Sequence, residues 1–234
     1  MTLNRRLLAV AAAGIIALVV VVVAITLGGG SSKKTTTTTS RAVAAAAAPA
    51  AFLKGVPQAG DTLGKASAPA TIYVFEDPQC PYCAEWSLNT LPEVVKNYVR
   101  TGKVKLVWRG IGIIGQNSVD GLRAAYGAGE QNKLWTFVDQ LYQRQGAENS
   151  GWITDSLLRD VSAVAGADPN AVMSAAGSSA VQAKLDEAAK QASQSGVGGT
   201  PTFVLVKPPG KPTMLKLTAL DPAAFKSALD SGLQ

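Results

Sequence analysis

Histidine is absent from the 234 residues, and only two cysteines are present. Without histidine the chain can carry neither a Ser-His-Asp nor a Cys-His catalytic arrangement, and it cannot offer an imidazole ligand to zinc. Attachment of a c-type haem is also excluded, because that motif needs a histidine directly after a CxxC and here Ala84 follows. Two cysteines cannot supply a four-ligand structural zinc site within one chain.

Acidic residues are missing from residues 1–51, so the formal net charge of +6 is unevenly distributed. This segment contains five basic side chains: Arg5, Arg6, Lys33, Lys34 and Arg41. Residues 52–234 hold 17 basic and 16 acidic side chains, a net charge of only +1. The basic character therefore belongs to the N-terminal arm, and a nucleic-acid-binding domain is not implied.

A run of 21 uncharged residues extends from Leu7 to Leu27. It is long enough for a helix to cross a hydrocarbon core of about 30 Å. A cleaved signal peptide is the competing interpretation, but its apolar region is typically only about 7–15 residues long. We therefore predict a transmembrane signal-anchor over residues 7–27 and a cytoplasmic tail over residues 1–6, since Arg5 and Arg6 mildly favour a cytoplasmic N-terminus.

Residues 28–51 consist almost entirely of Gly, Ser, Thr and Ala, with little to bury. Such a composition cannot offset the entropy lost on ordering, so it predicts a flexible linker. Residues 52–234 then remain as one mixed α/β domain that is long enough to bury a good core.

Strand and helix patterns alternate at the start of this domain. Residues 71–75 and 104–108 are rich in β-branched and aromatic residues and predict two strands, while the segment from Cys80 to Tyr98 between them has a helical pattern that Pro92 is expected to kink. This order is a βαβ unit, whose crossover should be right-handed. Further helices are predicted at 118–130, 133–144, 154–165, 169–176 and 180–195, then strands at 202–206 and 214–218 and a last helix from Asp221-Pro222 through Leu229, ended by Ser231-Gly232.

The chemistry is concentrated in Cys80-Pro81-Tyr82-Cys83, at the start of the first predicted helix. Unpaired backbone N–H groups and the positive end of the helix dipole stabilise a thiolate there, and the thiolate is the nucleophile in disulfide exchange. Cys80, at the outer edge with its sulfur exposed and its pKa lowered, is predicted to attack. Cys83, one helical turn further in, is predicted to be shielded, to keep a higher pKa and to resolve the mixed disulfide.

Two other interpretations of this motif remain open at this point. A static disulfide here would close only a tiny loop and stabilise little. Half of a metal site would need a second chain or other soft ligands, and the three methionines do not cluster with the motif in the sequence. Strand before and helix after favour redox activity.

A second signal lies at Gly198-Gly199-Thr200-Pro201, directly before the strand at 202–206. A glycine-preceded Thr-Pro bond entering a buried strand is a place for a cis peptide, although only a few per cent of X–Pro bonds are cis. A trans proline at the first position of a strand is the ordinary alternative.

Together these motifs resemble the thioredoxin fold, and residues 62–83 (TLGKASAPATIYVFEDPQCPYC) closely resemble membrane-anchored bacterial DsbA-like thiol–disulfide oxidoreductases. The resemblance covers residues 52–234, with the helical stretch at about 112–196 matching the inserted helical domain of that family. The fold class it implies is α/β, a thioredoxin-like fold with an inserted helical domain, here preceded by one transmembrane helix.

The resemblance also implies roles for individual residues. Cys80 is the nucleophile and Cys83 the resolving thiol, so the redox centre is the Cys80–Cys83 disulfide and no other cofactor or metal is needed. Pro201 is the cis-proline whose loop faces this disulfide, and Thr200 presents backbone groups to an extended peptide.

The chain departs from the family at modulating positions. Pro81-Tyr82 stands where strongly oxidising relatives have Pro-His, which suggests a less extreme reduction potential. Val74 occupies the position, six residues before the first cysteine, where a buried acid is often found. Glu76 and Asp77 are close by and are interpreted either as surface turn residues or as a proton relay to Cys83.

We therefore expect a single-pass protein of the cell membrane whose catalytic domain is extracytoplasmic and donates disulfides to unfolded or reduced secreted or membrane proteins. Its redox partner would be a membrane reoxidase similar to DsbB or to vitamin K epoxide reductase, and nucleic acid is not expected as a partner. A thiol reductase or isomerase of the same fold is the nearest alternative. A non-enzymatic thiol metal-binding or holdase protein is the alternative from another class.

Overall fold

The computed structural model describes residues 50–234. The predicted tail at 1–6, the signal-anchor at 7–27 and nearly all of the linker at 28–51 lie outside these residues. Among the residues that are described, no helix is both long enough and apolar enough to span a membrane.

The centre of the described region is a mixed sheet whose strands lie in the order β1-β2-β4-β3-β5-β6. The strands are β1 (Gln58–Ala59), β2 (Thr62–Leu63), β3 (Ala70–Glu76), β4 (Val104–Gly110), β5 (Thr202–Val206) and β6 (Thr213–Met214). The β3–β4 pair is parallel and every other neighbouring pair is antiparallel. The two main strands and β5 lie where the sequence predicts them, whereas the two-residue strands β1 and β2 are too short to leave a pattern.

The connection from β3 to β4 is one continuous helical stretch. It contains α1 (Pro81–Glu85) and α2 (Leu91–Val94), each followed by a π-helical turn, at Trp86–Thr90 and Val95–Val99. The sequence predicts a kink at Pro92, and the structure has a π-helical turn directly before this residue. In that turn the N–H of Leu91 donates to the carbonyl of Trp86, and the wider turn accommodates Pro92, which has no N–H for the regular helix pattern.

Five helices of the described chain stand between β4 and β5, as the helical insertion requires. They are α3 (Gln116–Gly129), α4 (Leu134–Tyr142), α5 (Asp155–Val164), α6 (Pro169–Ala176) and α7 (Ser179–Gln194). Each begins and ends within two residues of its predicted bounds. The expected cap at Asp168 is present, because its Oδ1 accepts hydrogen bonds from the N–H groups of Asn170 and Ala171 at 2.8 and 3.1 Å.

Residues of β3 alternate between two apolar layers, because successive side chains of a strand face opposite sides of the sheet. Ile72 and Val74 belong to the larger core, which also holds the α1–α2 stretch. Tyr73 and Phe75 face a smaller cluster that α7 covers through Ala188 and Ala192. The α1–α2 stretch and α7 thus pack on opposite faces of one sheet.

The C-terminal region differs from the prediction in two places. The strand expected at 214–218 pairs only at 213–214, followed by one more backbone bond from the Leu215 N–H to the Phe203 carbonyl at 2.9 Å, and the side chains of Leu215 and Leu217 pack on the core. The last helix, α8 (Pro222–Leu233), continues through Gly232 instead of ending at Ser231-Gly232. A Cβ at Gly232 would lie 2.7 Å from a methyl carbon of Leu205, so this glycine permits close helix–sheet packing.

A buried ion pair joins β4 to the turn between β1 and β2, and its arginine also contacts α7 and β3. The Arg109 guanidinium of β4 lies 2.6 Å from Asp61 Oδ2, in the turn between β1 and β2, and both side chains are largely buried. Arg109 also donates to Gln191 of α7 at 2.6 Å and lies over the ring of Tyr73 at 5.1 Å. The guanidinium therefore fixes three elements at once.

Removing the Asp61 carboxylate leaves the Arg109 charge buried without its closest counter-ion. We expect Asp61→Ala to lower the free energy of unfolding by about 3 kcal/mol. The control is Glu93→Ala, which breaks the exposed Glu93–Lys96 pair and should cost no more than about 0.5 kcal/mol. Urea unfolding at pH 7 measures both, and equal losses in the two variants would contradict a buried role for the Arg109–Asp61 pair.

Candidate active site

The CPYC motif lies at the junction that sequence patterning predicts. Cys80 is the N-cap residue of α1, with extended backbone angles, and Pro81 occupies the first helical position, where a missing N–H costs nothing. Cys83 is in the first turn, and its N–H donates to the Cys80 carbonyl at 3.1 Å. Both cysteines are free thiols. The side chain of Tyr82 is 61% exposed beside them.

The cis-proline loop comes directly against the first thiol. The Thr200–Pro201 bond is cis, as expected from the sequence. The Cys80 sulfur donates to the Thr200 carbonyl oxygen at 3.3 Å, across 120 residues of sequence. The structure therefore brings Cys80, Thr200 and Pro201 together.

The expectation of a solvent-exposed Cys80 sulfur is wrong. Only 5% of Cys80 and none of Cys83 is exposed. The contact with Thr200 is the reason, because the loop before β5 covers the sulfur that the helix end alone would leave open. Pro81 and Tyr82, the two residues that follow Cys80, are exposed.

The two thiols nonetheless differ in acidity as the sequence predicts. The pKa of Cys80 falls from 9.0 to about 6, chiefly because the Cys83 thiol donates a hydrogen bond to it, with further bonds from the Thr200 side chain and from the N–H groups of Cys83 and Tyr82. Burial opposes this fall. The pKa of Cys83 is raised well above its ordinary value by burial, then by its hydrogen bond to Cys80 and by the charge of Glu76. Near neutral pH the reactive thiolate is therefore on Cys80.

Glu76 is a buried acid beside this pair. The interpretation of Glu76 as a surface turn residue is wrong, because its side chain is fully buried at the end of β3. Its two carboxyl oxygens accept from Ser87 Oγ and Trp108 Nε1, both at 2.8 Å. Burial raises its pKa from 4.5 to about 8 despite these two bonds.

The position of Glu76 follows from the two-residue period of a strand. Val74 stands where relatives often have their acid, and Glu76, two positions later, projects from the same face of β3. The acid of this chain therefore lies two residues closer to Cys80 than the acid of the relatives. The two-residue spacing between Val74 and Glu76 was the signal in the sequence that Glu76 faces the same side of the sheet.

Asp77 is also fully buried, so the surface interpretation fails for this residue too. Its carboxylate accepts four hydrogen bonds. The donors are the N–H groups of Gln79, Ile113 and Ile114 and the hydroxyl of Ser118, at 2.6 to 3.0 Å. Asp77 thus fixes the turn before Cys80 to the loop after β4.

Sequence analysis missed two glutamines that contact this turn. Gln79 is fully buried, and its side chain bonds Ser118 Oγ and the N–H of Asn149. Gln145 donates to the carbonyl oxygens of Pro78 and Cys80. No local pattern marks these partners, because they lie 39 to 70 residues away along the chain.

The aromatic residues around the site belong to the core. Trp86 packs with Phe203 and Phe225 at centroid distances of 4.7 and 5.6 Å. Over residues 50–234, no group of three or more His, Cys, Asp or Glu side chains is arranged to hold a metal ion.

A dithiol at a helix N-terminus, facing a cis-proline on a thioredoxin-like sheet, defines the class of thioredoxin-fold redox proteins. The family model described as thioredoxin matches residues 58–207, so the chain belongs to the thioredoxin family. This confirms the predicted α/β fold, and the five helices between β4 and β5 confirm its helical insertion.

Individual relatives give a narrower comparison. The chain is 35% identical over 102 residues to "Probable disulfide bond formation protein D" of Bacillus cereus, an alignment covering 43% of this chain and 47% of that protein. The chain spans about half the length of the curated disulfide bond formation proteins that it matches.

Solved structures share the fold over a larger part of the chain. Oxidised BdbD of Bacillus subtilis superposes with a TM-score of 0.64 at 20% identity, covering 76% of this chain and 97% of that one. DsbA of Chlamydia trachomatis superposes with a TM-score of 0.61 at 20% identity, covering 74% and 91%. At this identity the likeness concerns the fold, including the helical insertion.

Glu76 makes the stability of the reduced protein depend on pH. Its carboxyl has a pKa of about 8 when folded and 4.5 as a free group. The folded state therefore holds a proton that the unfolded state releases between these values, and stability from this group falls as the pH rises from about 4.5 to 8. Glu76→Gln removes this fall, because an amide can bond both Ser87 and Trp108 without ionising.

We expect Glu76→Gln to gain stability over the wild type as the pH rises, by several kcal/mol at pH 8, at about 1.4 kcal/mol for each pKa unit. Urea unfolding at pH 5 and pH 8 with a phosphine reductant measures the difference. Ionisation of Cys80, whose pKa is lowered in the folded state, makes the stability of both the wild type and Glu76→Gln rise with pH. Glu93→Gln, at an exposed acid, is the control. A constant difference between Glu76→Gln and the wild type at the two pH values would contradict the raised pKa.

Proposed function

We propose that this protein is an extracytoplasmic thiol–disulfide oxidoreductase that donates the Cys80–Cys83 disulfide to secreted or membrane proteins. The observation that carries the proposal is the unequal pair of thiols, with a Cys80 pKa of about 6 beside Thr200 and Pro201. The names of the Bacillus relatives, which are disulfide bond formation proteins, support the same activity.

The chemistry follows from this difference in acidity. A substrate thiolate attacks the Cys80 sulfur of the disulfide, and the electron pair of the S–S bond leaves on Cys83, which is protonated at neutral pH because its pKa is high. Glu76, whose pKa of about 8 keeps it largely protonated near neutral pH, is the nearby acid that can supply this proton. A second substrate thiolate then attacks the substrate sulfur and expels Cys80 as a stable thiolate. The substrate loses two electrons, and the Cys80–Cys83 pair gains them.

The acidity of Cys80 also bears on the direction of exchange. A more stable thiolate stabilises the reduced enzyme and makes the disulfide a stronger oxidant. Pivotal thiols have pKa values of about 7 in thioredoxin and about 3.5 in DsbA, so a value of about 6 supports an oxidant of intermediate strength. Tyr82, in place of the histidine of strongly oxidising relatives, agrees with this.

The cellular setting of the proposal rests on the sequence. The uncharged run at 7–27 supports a single membrane anchor with residues 1–6 in the cytoplasm, and 28–51 would tether the catalytic domain outside the cell membrane. Such a donor has to be reoxidised, and the anchor would keep it near a membrane reoxidase similar to DsbB or to vitamin K epoxide reductase. The substrates would be unfolded or reduced polypeptides, bound in extended form at Thr200.

The reduction potential of the Cys80–Cys83 pair, measured against glutathione at pH 7, tests the direction. We expect a value above roughly −200 mV, on the oxidising side of this scale. A value near −270 mV would instead identify a reductase. A protein that binds metal but is inactive in both insulin reduction and RNase refolding would be a non-enzymatic binder.

The order of the two thiols is tested by trapping. Cys83→Ala should accumulate DTT-sensitive mixed disulfides through Cys80, because the resolving thiol is gone, and non-reducing gels of cells producing the variant should show them. Cys80→Ala is the matched control and should trap at least tenfold less, since the buried Cys83 thiol stays protonated. Equal trapping by both variants, or adducts mapped to Cys83, would overturn the assignment.

A further inference from the structure

The helical insertion reaches the catalytic turn through the side chain of Gln145, three residues after the end of α4. Its amide nitrogen Nε2 donates to the carbonyl oxygens of Pro78 and Cys80, at 2.9 and 3.0 Å. The amide thus spans the turn on both sides of Gln79.

The Cys80 carbonyl is unusual in the number of donors that it receives. Besides Gln145 it accepts the N–H of Cys83 at 3.1 Å and the N–H of Ala84 at 3.2 Å. A carbonyl oxygen offers two lone pairs, so three donors compete for them. The N–H of Cys83 is shared, because it also faces the Cys80 sulfur.

We propose that Gln145 is a positioning residue for the Cys80 thiolate. The amide N–H of Gln145 donates to the Cys80 carbonyl oxygen and so weakens the hydrogen bond between that oxygen and the Cys83 N–H. The Cys83 N–H can then bond the Cys80 sulfur more strongly. The partial positive charge of the same amide offsets the negative end of the carbonyl dipole next to the thiolate. This role rests on the thiol chemistry proposed above.

Independent contacts hold Gln145 in place. The loop that carries it is anchored to the same turn a second time, where the N–H of Asn149 donates to Gln79 Oε1 at 2.8 Å. Gln79 is buried and its Nε2 donates to Ser118 Oγ of α3 at 2.9 Å. The insertion therefore fixes the turn on two sides, and a freely rotating surface glutamine would not have this support.

The test compares Gln145→Met, which keeps the length of the side chain but has no donor, with Gln143→Met. Gln143 lies two residues earlier and bonds Asp139, not the catalytic turn, so it is the matched control. A third variant, Gln145→Glu, replaces the donor with a carboxylate that cannot donate when ionised. The titratable groups already facing Cys80, which are Cys83, Glu76 and Tyr142, are unchanged in all three variants, and only Gln145→Glu adds a new charged group beside them.

We expect Gln145→Met to raise the Cys80 pKa, followed by thiolate absorbance at 240 nm and by the pH dependence of alkylation. The equilibrium constant for reduction of the Cys80–Cys83 disulfide by glutathione at pH 7 should fall about threefold, as expected for the loss of a neutral hydrogen bond. This corresponds to a change in potential of about 14 mV. Gln145→Glu should lower the constant further, and Gln143→Met should leave it within about 1.5-fold.

A titration of the wild type needs no variant. The side-chain amide signals of Gln145 and the backbone amide signal of Cys83 should shift in ¹⁵N spectra with the midpoint of Cys80, near pH 6. If Gln145→Met loses its fold by circular dichroism, this titration of the wild type decides.

The proposal is overturned if Gln145→Met matches Gln143→Met in both the Cys80 pKa and the glutathione equilibrium, or if the Gln145 amide signals do not respond to Cys80. Failure of the proposed function looks different, because the wild type itself would then form no Cys80–Cys83 disulfide with oxidised glutathione.

Discussion

A single negative charge has to be stabilised on a sulfur atom that the fold has almost removed from water, and much of the surrounding structure serves this requirement. Cys80 is 5% exposed and would have a raised pKa if burial acted alone. The N-terminus of α1 opposes this effect of burial, because the N–H groups of Tyr82 and Cys83 bond the sulfur. The Cys83 thiol makes the largest contribution, and the Thr200 side chain completes the set of donors.

The same dry environment allows only one such charge at a time. Glu76, Cys80 and Cys83 each raise the pKa of a neighbour when ionised, so placing the charge on Cys80 keeps protons on the other two. This is the arrangement that exchange requires, with a thiolate at the entry point and a protonated thiol and carboxyl behind it. Ser87 and Trp108 hold the carboxyl of Glu76 in place without fully offsetting the cost of burying it.

The helical insertion supports the site and does not merely cover it. Ser118 of α3 bonds both Asp77 and Gln79, and Tyr142 of α4 donates to the Asp77 carbonyl at 3.2 Å. The turn that presents Cys80 is therefore held on one side by β3 and on the other by the insertion. An exposed turn without these bonds would sample many geometries, and the thiolate would lose its fixed donors.

Local sequence determined the parts of this protein that depend on neighbours along the chain. The strands β3, β4 and β5, the helices of the insertion, the cap at Asp168 and the place of CPYC at a helix N-terminus all follow from periodicity and from residues within a few positions. The higher acidity of Cys80 than of Cys83 follows in the same way, because it begins with helix-end geometry.

Tertiary structure alone decided what depends on contacts between distant segments. It buried Cys80 under Thr200, 120 residues away, and it placed Glu76 and Asp77 in the interior where the sequence allowed a surface turn. It also ended β6 after two residues. It continued α8 through Gly232, where close packing against Leu205 outweighed the local stop signal. Whether a polar side chain is buried, and which groups then satisfy it, depends on the segments that fold over it, and no pattern within a few residues of Glu76 or Gln145 contains that information.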